Sequence, residues 1–418
     1  MMNNLNKNKF ENIKTKKTMI IGLSLIFFGF FIYLFFGLGV EGQATFRLSR
    51  PTDPFALPNL ILPAHSFIGL AALLIAFFGG RIIIKAPKNF TIFMALSFFL
   101  AIAAFLVWAT AGKSFSLTGM LQATVVRAVP IALAAMAGIM CERVAVINIG
   151  IEGMLLAGAF AGALFGSIFG NLIFLILAIL VGGFFGFILA ALVVTFRVDQ
   201  IIAGVAINIF VLGITSFLTS HLLKSNPELN DAPVFKSIQI PFFSEIPILG
   251  PVLFKQNIFV YFSIFIVIIS TYYLFKTAYG LRARAVGEHP KAAETLGISV
   301  IKTRFNHVVI GGMIAGFGGA WFTLGSVGRF DEGMTGGRGF IGLAAMIFGR
   351  WHPIGALFAA LLFGFADSLQ QKLAILRTPI PSEFLAMAPY LVTIIVVAGI
   401  VGNARPPQAI GKAYVKEN

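Results

Sequence analysis

Apolar stretches about as long as a bilayer-crossing helix recur along this chain, and they leave few other ways to fold it. They run over Thr18–Leu38, Phe67–Gly80, Phe90–Ala111, Leu121–Met140, Ile151–Phe169, Leu172–Val194, Ile201–Leu223, Ile258–Phe275, Val308–Leu324, Ile354–Leu369 and Phe384–Val401. A helix needs about 20 apolar residues to span the hydrocarbon core, so several of these are short for a span. Backbone polar groups have no water to bond there, so only helices and closed barrels cross. A barrel would show short alternating segments, whereas these runs are continuous. The chain is 58% hydrophobic and 11% charged, against about a quarter charged in soluble domains. The fold class expected is an all-α, polytopic integral membrane protein with about 10–12 membrane helices, some short or broken. The first run is too long, and too charged afterwards, for a cleaved signal, and no small-residue cleavage site closes it.

The formal charge of +15 would suit a nucleic-acid binder if the chain were soluble. In a membrane protein it marks orientation, because Lys and Arg collect in cytoplasmic loops. Lys7, Lys9, Lys14, Lys16 and Lys17 precede the first run and place the N-terminus inside. Counting alternately then puts Arg81, Lys85, Lys88, Arg143, Arg197 and the stretch Ala278–Arg304 inside, with the polar segment Lys224–Asn257 outside. Arg405, Lys412 and Lys416 also fall inside if "GFIGLAAMIFGRWHP" is a short or broken membrane helix ending near Arg350. Arg47 and Arg50 fall outside and depart from the pattern. A multi-pass protein of the bacterial plasma (inner) membrane with both termini cytoplasmic is expected.

Catalytic signatures fail. "TAGKSF" holds Gly112-Lys113-Ser114, but a phosphate loop needs glycine five positions before Gly112, where Val107 stands. "GSVG" is one residue short of a nucleophile elbow. His65, His221, His289, His307 and His352 have no metal-ligand spacing. The single cysteine, Cys141, excludes an intrachain disulfide and reads as a small packing residue. No enzyme, metal site or cofactor is expected in this chain.

Glycine spacing speaks of helix packing. Gly158, Gly162, Gly166 and Gly170 recur every fourth residue, and Gly182/Gly186 and Gly312/Gly316 repeat the step. In lipid, such small-residue faces let backbones approach closely, whether as sliding seams or as static packing.

Polar residues inside membrane runs are costly and mark function or internal pairing. Asn148 and Glu152 lie one turn apart on one face. Glu152 either lines a path or pairs with Arg143 at the cytoplasmic end. Asp199 reads as a helix cap, and Asn208, deeper in the same run, as a lining residue. "GRFDEGMTGGRGF" concentrates Asp331, Glu332 and Arg338 among glycines, as either a gate or an external turn. Asp367 is expected at a solvated position. The candidate translocation path is therefore Asn148, Glu152, Asn208, Asp331 and Arg338.

Between two apolar runs stands "AYGLRARAVGEHPKAAETLGISVIKTR", Ala278–Arg304. Pro290 suits the first turn of a helix, Lys291–Leu296 continue it, and Gly297 stops it. Leu281, Ala292, Ala293, Leu296 and Ile298 give an apolar side. A short amphipathic helix at the membrane boundary suits docking to a cytoplasmic protein, while the plainer alternative is a positively charged topological loop.

Four stretches resemble the permease subunits of ABC importers in the branched-chain amino acid, simple sugar and nucleoside permease family. They are "CERVAVINIGIEGMLLAGAFAGA", "RVDQIIAGVAINI", "GLRARAVGEHPKAAETLGISV" and "MTGGRGFIGLAAMIFGRWHPIGALFAALLFGFADSLQ". The likeness covers Leu121 to Val401 and is greatest to the nucleoside (guanosine-type) branch. It implies an ABC importer permease fold with a cytoplasmic coupling loop over residues 276–304 that docks in the ATPase. Arg282, Arg284, Gly287, Glu288, Ala292, Ala293 and Gly297 would form that docking surface. It also implies nucleoside import by alternating access. ATP and Mg would be bound by a partner ATPase subunit, alongside a second, different permease and an extracytoplasmic substrate-binding lipoprotein, with membrane lipid around them and no nucleic acid. Simple sugars or branched-chain amino acids are alternative cargoes. A proton-coupled secondary transporter using Glu152 or Asp367, or a structural membrane subunit, are the other readings. The domain organisation expected is an extension over 1–112 with about three membrane helices, a permease core over 113–404, and a cytoplasmic tail over 405–418.

Overall fold

The computed structural model describes residues 2–50, 53, 55–84, 90–170, 173–376, 378, 381, 384, 387 and 405–416. Lys85, Lys88 and almost all of the run Phe384–Val401 lie outside the described residues, as do the side chains of Lys7, Lys9, Lys14 and Lys17. Among the described residues, 10 helices are long and apolar enough to cross a membrane. In chain order the helices are α1 (Met2–Ile32), α2 (Ala64–Ile84), α3 (Phe90–Ala109), α4 (Leu117–Glu142), α5 (Ile151–Phe169), α6 (Ile173–Ala190) and α7 (Gln200–Leu218). Then follow α8 (Ile258–Lys276), α9 (Ala278–Glu288), α10 (Pro290–Thr295), α11 (Val300–Phe322), α12 (Arg338–Phe348) and α13 (Pro353–Ile375). With 11 residues, α12 reaches about 16 Å, well short of the hydrocarbon core at about 30 Å. It is the broken helix that its flanking glycines announce.

The chain divides into two compact units, Met1–Gly119 with Gln371–Leu385, and Met120–Gln370 with Ala386–Asn418. In the first unit α1 packs against α2 at glycines. A Cβ added at Gly29 would sit 2.6 Å from the Ala72 carbonyl, and one at Gly79 would sit 2.5 Å from that of Gly22. The polar links between these helices build a small sheet absent from the sequence expectations. Its strands β1 (Gln43–Arg47), β2 (Leu60–Pro63) and β3 (Ser114–Ser116) stand in the order β2-β1-β3. β1 is antiparallel to β2, with Ala44 opposite Leu62, and parallel to β3, with Phe46 opposite Phe115. Arg50 ends this excursion in a local pair: its backbone N–H donates to Asp53 Oδ2 at 2.7 Å and its Nε to Oδ1 at 3.4 Å.

In the second unit α5, α6 and α11 form the tightest packing, through the glycine faces. A Cβ at Gly158 would run into the Gly316 backbone, and one at Gly186 would lie 3.0 Å from the Gly312 Cα. The α5 stripe extends as far as Gly166, which meets Ala232 and Leu324. Gly170 ends it instead, as a left-handed helix cap at φ 63°, a conformation glycine adopts without strain. Asp199 caps α7 by accepting from the Ile201 and Ile202 N–H groups at 2.9 and 3.0 Å. That satisfies two of the donors a helix start leaves free.

Candidate functional site

The first polar cluster of the second unit forms where α12 begins. Gly336 and Gly337 take left-handed backbone, φ 55° and 78°, which turns the chain from the Asp331–Thr335 loop into α12. Glu152, in the first turn of α5, reaches this turn. Its Oε1 accepts from Thr335 Oγ1 at 2.6 Å and the Gly337 N–H at 2.8 Å, and its Oε2 accepts from the Gly339 N–H at 2.6 Å. A carboxylate thus answers the free donors and positive dipole end of a broken helix. The pairing with Arg143 that sequence leaves open is not formed: Arg143 donates to the Trp351 carbonyl instead.

Arg338 carries the cluster onward. Its Nη2 donates to Asp367 Oδ2 at 3.2 Å, its guanidinium stands 5.6 Å from the Phe322 ring centre, and Arg127 Nη1 donates to the same carboxylate oxygen at 2.8 Å. The Asp367 side chain is only 18% exposed, so the solvated position expected for it is corrected. Two arginines from α4 and α12 draw the carboxylate inward, because a charge inside a membrane run needs a partner. The sequence signal for this network is Arg127, a lone arginine within the apolar run Leu121–Met140.

The two asparagines serve the entry to α5. Asn208 Oδ1 accepts from the Gly153 N–H at 2.7 Å and its Nδ2 donates to the Ile149 carbonyl at 3.0 Å. Asn148 is fully buried, with its Nδ2 beside Cys141 Sγ and Met154 Sδ at 3.5 and 3.6 Å and its Oδ1 unpartnered. Asp331 lies apart from these contacts on an exposed turn, 3.5 Å from Arg329. The structure therefore joins Glu152 to Arg338 through one turn of backbone and Asn208 to the start of α5. Asn148 is packed beneath that start, and Asp331 is in solvent.

The second cluster is built around α9 and α10, two short helices where sequence expects one. Thr277 caps α9 through the Gly280 N–H at 3.1 Å, and the Ala292 N–H donates to His289 Nδ1 at 3.3 Å at the start of α10. Gly297, at φ 78°, ends the segment as expected. Its inner face is pinned. A Cβ at Gly287 would strike the Arg143 carbonyl, and Ala293 is buried. Arg143 Nε and Nη2 both donate to the Trp351 carbonyl at 2.9 and 2.7 Å, while Trp351 Nε1 donates to Glu142 Oε2 at 2.5 Å. Arg143 and Arg284 flank the Phe275 ring at 5.3 and 5.0 Å. Burial first, and then Arg284, hold the Arg143 guanidinium below the ordinary arginine value, with Glu288 opposing. Arg350 and Trp351, non-glycine residues at φ 56° and 53°, make the sharp turn that delivers Trp351 to this cluster.

The C-terminal residues form the remaining support, which sequence did not foresee. The Ala409 N–H donates to the Gly287 carbonyl at 3.0 Å, the Gln408 N–H to Glu288 Oε2 at 3.2 Å and Arg304 Nη1 to the Lys412 carbonyl at 2.9 Å, while Tyr414 Oη bonds Glu294. The outer face of the pair presents Arg282, Lys291 and Ala292 with Leu281, Leu296 and Tyr279, and Leu296 is 81% exposed. Among the described residues no group of three or more His, Cys, Asp or Glu is placed to hold a metal.

Comparison with known proteins identifies the fold these clusters belong to. The model of the branched-chain amino acid transport system permease component matches residues 120–401. The guanosine ABC transporter permease protein NupQ of Bacillus subtilis is 41% identical over 308 residues, covering 70% of this chain and 95% of its own length. The nucleoside ABC transporter permease protein NupC of Lactococcus lactis is 36% identical over 297 residues, covering 69% and 93%. TsgC13 of Haloferax volcanii, provisionally named a glucose ABC transporter permease protein, is 31% identical over 338 residues, covering 72% and 98%. No solved structure is significantly similar to the chain. Ten candidate spans among the described residues, a broken helix, and a family match over residues 120–401 lead to one conclusion: the chain belongs to the branched-chain amino acid transport system permease component family and is a multi-pass membrane permease of the ABC type, a transport subunit and not an enzyme.

Proposed function

We propose that this chain is the membrane permease of an ATP-driven importer of nucleosides, coupled to a separate ATPase through residues 278–304. The observation that carries the coupling is the α9–α10 pair. Its inner face is pinned by Arg143, Trp351 and the C-terminal residues, and its outer face offers exposed apolar and basic groups to a partner. A rigid, amphipathic segment of this kind transmits motion, because pushing it moves whatever it is packed against. Arg282, Arg284, Gly287, Glu288, Ala292, Ala293 and Gly297 belong to it, the buried members as support and the exposed ones as contact. The partner ATPase binds ATP and Mg. A second, different permease completes the path, and an extracytoplasmic substrate-binding lipoprotein delivers cargo. Both termini lie on the cytoplasmic side of the bacterial plasma membrane.

The names of the 41% and 36% identical relatives support nucleosides as cargo. A nucleoside offers ribose hydroxyls and a polar base edge, which match carboxylate, amide and guanidinium groups. In this reading Glu152 and Arg338 stand nearest the path, Asn148 and Asn208 set the start of α5 beside it, and Asp331 lies at its outer turn. Residues 1–112 act as anchors outside it. The glucose-named relative favours a second reading, a simple sugar as cargo.

Uptake of labelled guanosine, uridine, glucose and leucine by a deletion strain, with and without the restored gene, tests the choice. Restored uptake of nucleosides alone is expected. Restored glucose or leucine uptake without nucleosides would overturn the substrate. Uptake driven by a proton gradient in ATP-depleted vesicles would overturn the ATP-driven mechanism.

A further inference from the structure

A cavity of about 450 Å³ opens where α8 ends and α11 begins, beside α9. Its walls include Tyr273, Tyr279, Arg282, Lys302, Asn306 and His307, and no carboxylate lines it. Arg282 and Lys302 are exposed, and among the described residues neither forms an ion pair. Arg282 is steadied over the Tyr279 ring at 5.7 Å. Tyr273 Oη and His307 Nε2 share a hydrogen bond at 3.0 Å, and His307 Nδ1 faces the Thr303 carbonyl at 2.7 Å, so the floor is fixed.

Toward the membrane the surface beside the cavity turns apolar. One helical turn further into the membrane from Asn306 is Ile310, and one turn from Tyr273 is Ile269. Phe265 lies one turn beyond Ile269. Ile310, Ile269 and Phe265 are all exposed. A basic, hydroxyl-bearing cavity at a helix end, continuous with an exposed apolar wall on membrane-spanning helices, has the two-part chemistry of a phospholipid. Basic pockets between membrane helices at the bilayer boundary hold anionic headgroups.

We propose that this cavity binds the phosphodiester headgroup of an anionic phospholipid, with Arg282 and Lys302 as its charge partners and the Ile269–Phe265 and Ile310 faces against its acyl chains. The inference needs only the membrane placement of α8 and α11 and is independent of the cargo. Because the lipid sits against α9 and Arg282, its occupancy bears on the same segment that the coupling proposal uses.

The test uses the full chain purified in detergent and titrated with phosphatidylglycerol or phosphatidylcholine under native mass spectrometry. A second arm titrates inorganic phosphate and ATP as competitors. Each basic group near the headgroup is expected to contribute about fivefold in affinity. Lys302→Gln should weaken phosphatidylglycerol binding about fivefold, and Arg282→Gln with Lys302→Gln about thirtyfold. Phosphatidylcholine binding should change little, and Lys302→Arg should retain the preference, which separates loss of charge from misfolding. Unchanged phosphatidylglycerol preference in the double glutamine variant would overturn the proposal. So would displacement of the lipid by millimolar phosphate or ATP, which would mark a site for a soluble phosphate. Co-purification of the ATPase with the same proteins is scored separately. Its failure with the wild-type chain would count against coupling through α9–α10 and leave the lipid result standing.

Discussion

Replacing Glu152 with glutamine isolates one charge at the start of the broken helix. The carboxylate accepts from Thr335 Oγ1, the Gly337 N–H and the Gly339 N–H at 2.6, 2.8 and 2.6 Å. A glutamine carbonyl placed at Oε1 keeps the first two partners, while its NH2 then faces the Gly339 N–H, donor against donor. One buried donor is left without an acceptor, at about 1–3 kcal/mol, and the two remaining bonds lose their charge assistance. The membrane reference state offsets part of this, since side-chain hydrogen bonds between membrane helices average about 0.6 kcal/mol. The net expectation is about 1–2.5 kcal/mol against the closed α12 start, or roughly 5- to 70-fold in its local opening equilibrium. Hydrogen–deuterium exchange of the 335–340 peptide in nanodiscs reads this directly: exchange should accelerate by that factor in Glu152→Gln and by more in Glu152→Ala, with α6 unchanged. Unaltered exchange at Gly337 and Gly339 in both variants would refute the claim that Glu152 holds the broken helix.

Gly316→Ala should lower thermal stability by about 1–3 kcal/mol through overpacking, because its Cβ would sit 2.5 Å from the Ala178 carbonyl and 2.9 Å from the Gly182 Cα. Gly213→Ala, with nothing within 4 Å of the new Cβ, should not lower it. Deleting residues 405–418 removes the Ala409–Gly287 and Arg304–Lys412 bonds and should speed proteolysis within 278–304 while membrane insertion persists; equal protection would show that the tail is not a support. Burial first, and then Arg143, hold His352 below the ordinary histidine value. The unfolded chain therefore takes up this proton first, so the stabilising contribution is full above about pH 6.5 and is lost as pH falls through the folded value. His352→Gln should flatten the decline in melting temperature between about pH 7 and pH 5, and an identical slope would remove His352 from the account.

What sequence made legible follows local chemistry. Asp199, Pro290 and Gly297 act on residues a turn or two away, so local sequence reveals them, and the glycine steps through Gly166 show as a four-residue spacing although the helix they pack against is distant in sequence. The apolar runs mark the spans for the same reason. Asp367 was not legible because its partners, Arg127 and Arg338, stand 240 and 29 positions away, and only Arg127 hints at the debt within its own run. The Glu142–Trp351 bond spans 209 positions and leaves no periodic trace. The three-stranded sheet is hidden because its strands are only 3 to 5 residues long and β1 pairs with β3 across two intervening membrane helices. The C-terminal support reads as an ordinary basic tail until Gly287 and Glu288 are placed beside it.

The central claim, that the α9–α10 pair carries the ATPase stroke, is tested most directly at Glu288. Its side chain is exposed on the segment and accepts from the Gln408 N–H at 3.2 Å, so Glu288→Lys reverses a charge without opening a cavity. The measurement is ATP-driven nucleoside uptake, with nucleoside-stimulated ATP hydrolysis, by the complete transporter in proteoliposomes. The account predicts that both fall to background in Glu288→Lys while the permease inserts at normal levels; wild-type uptake and stimulated hydrolysis with the ATPase bound would contradict it.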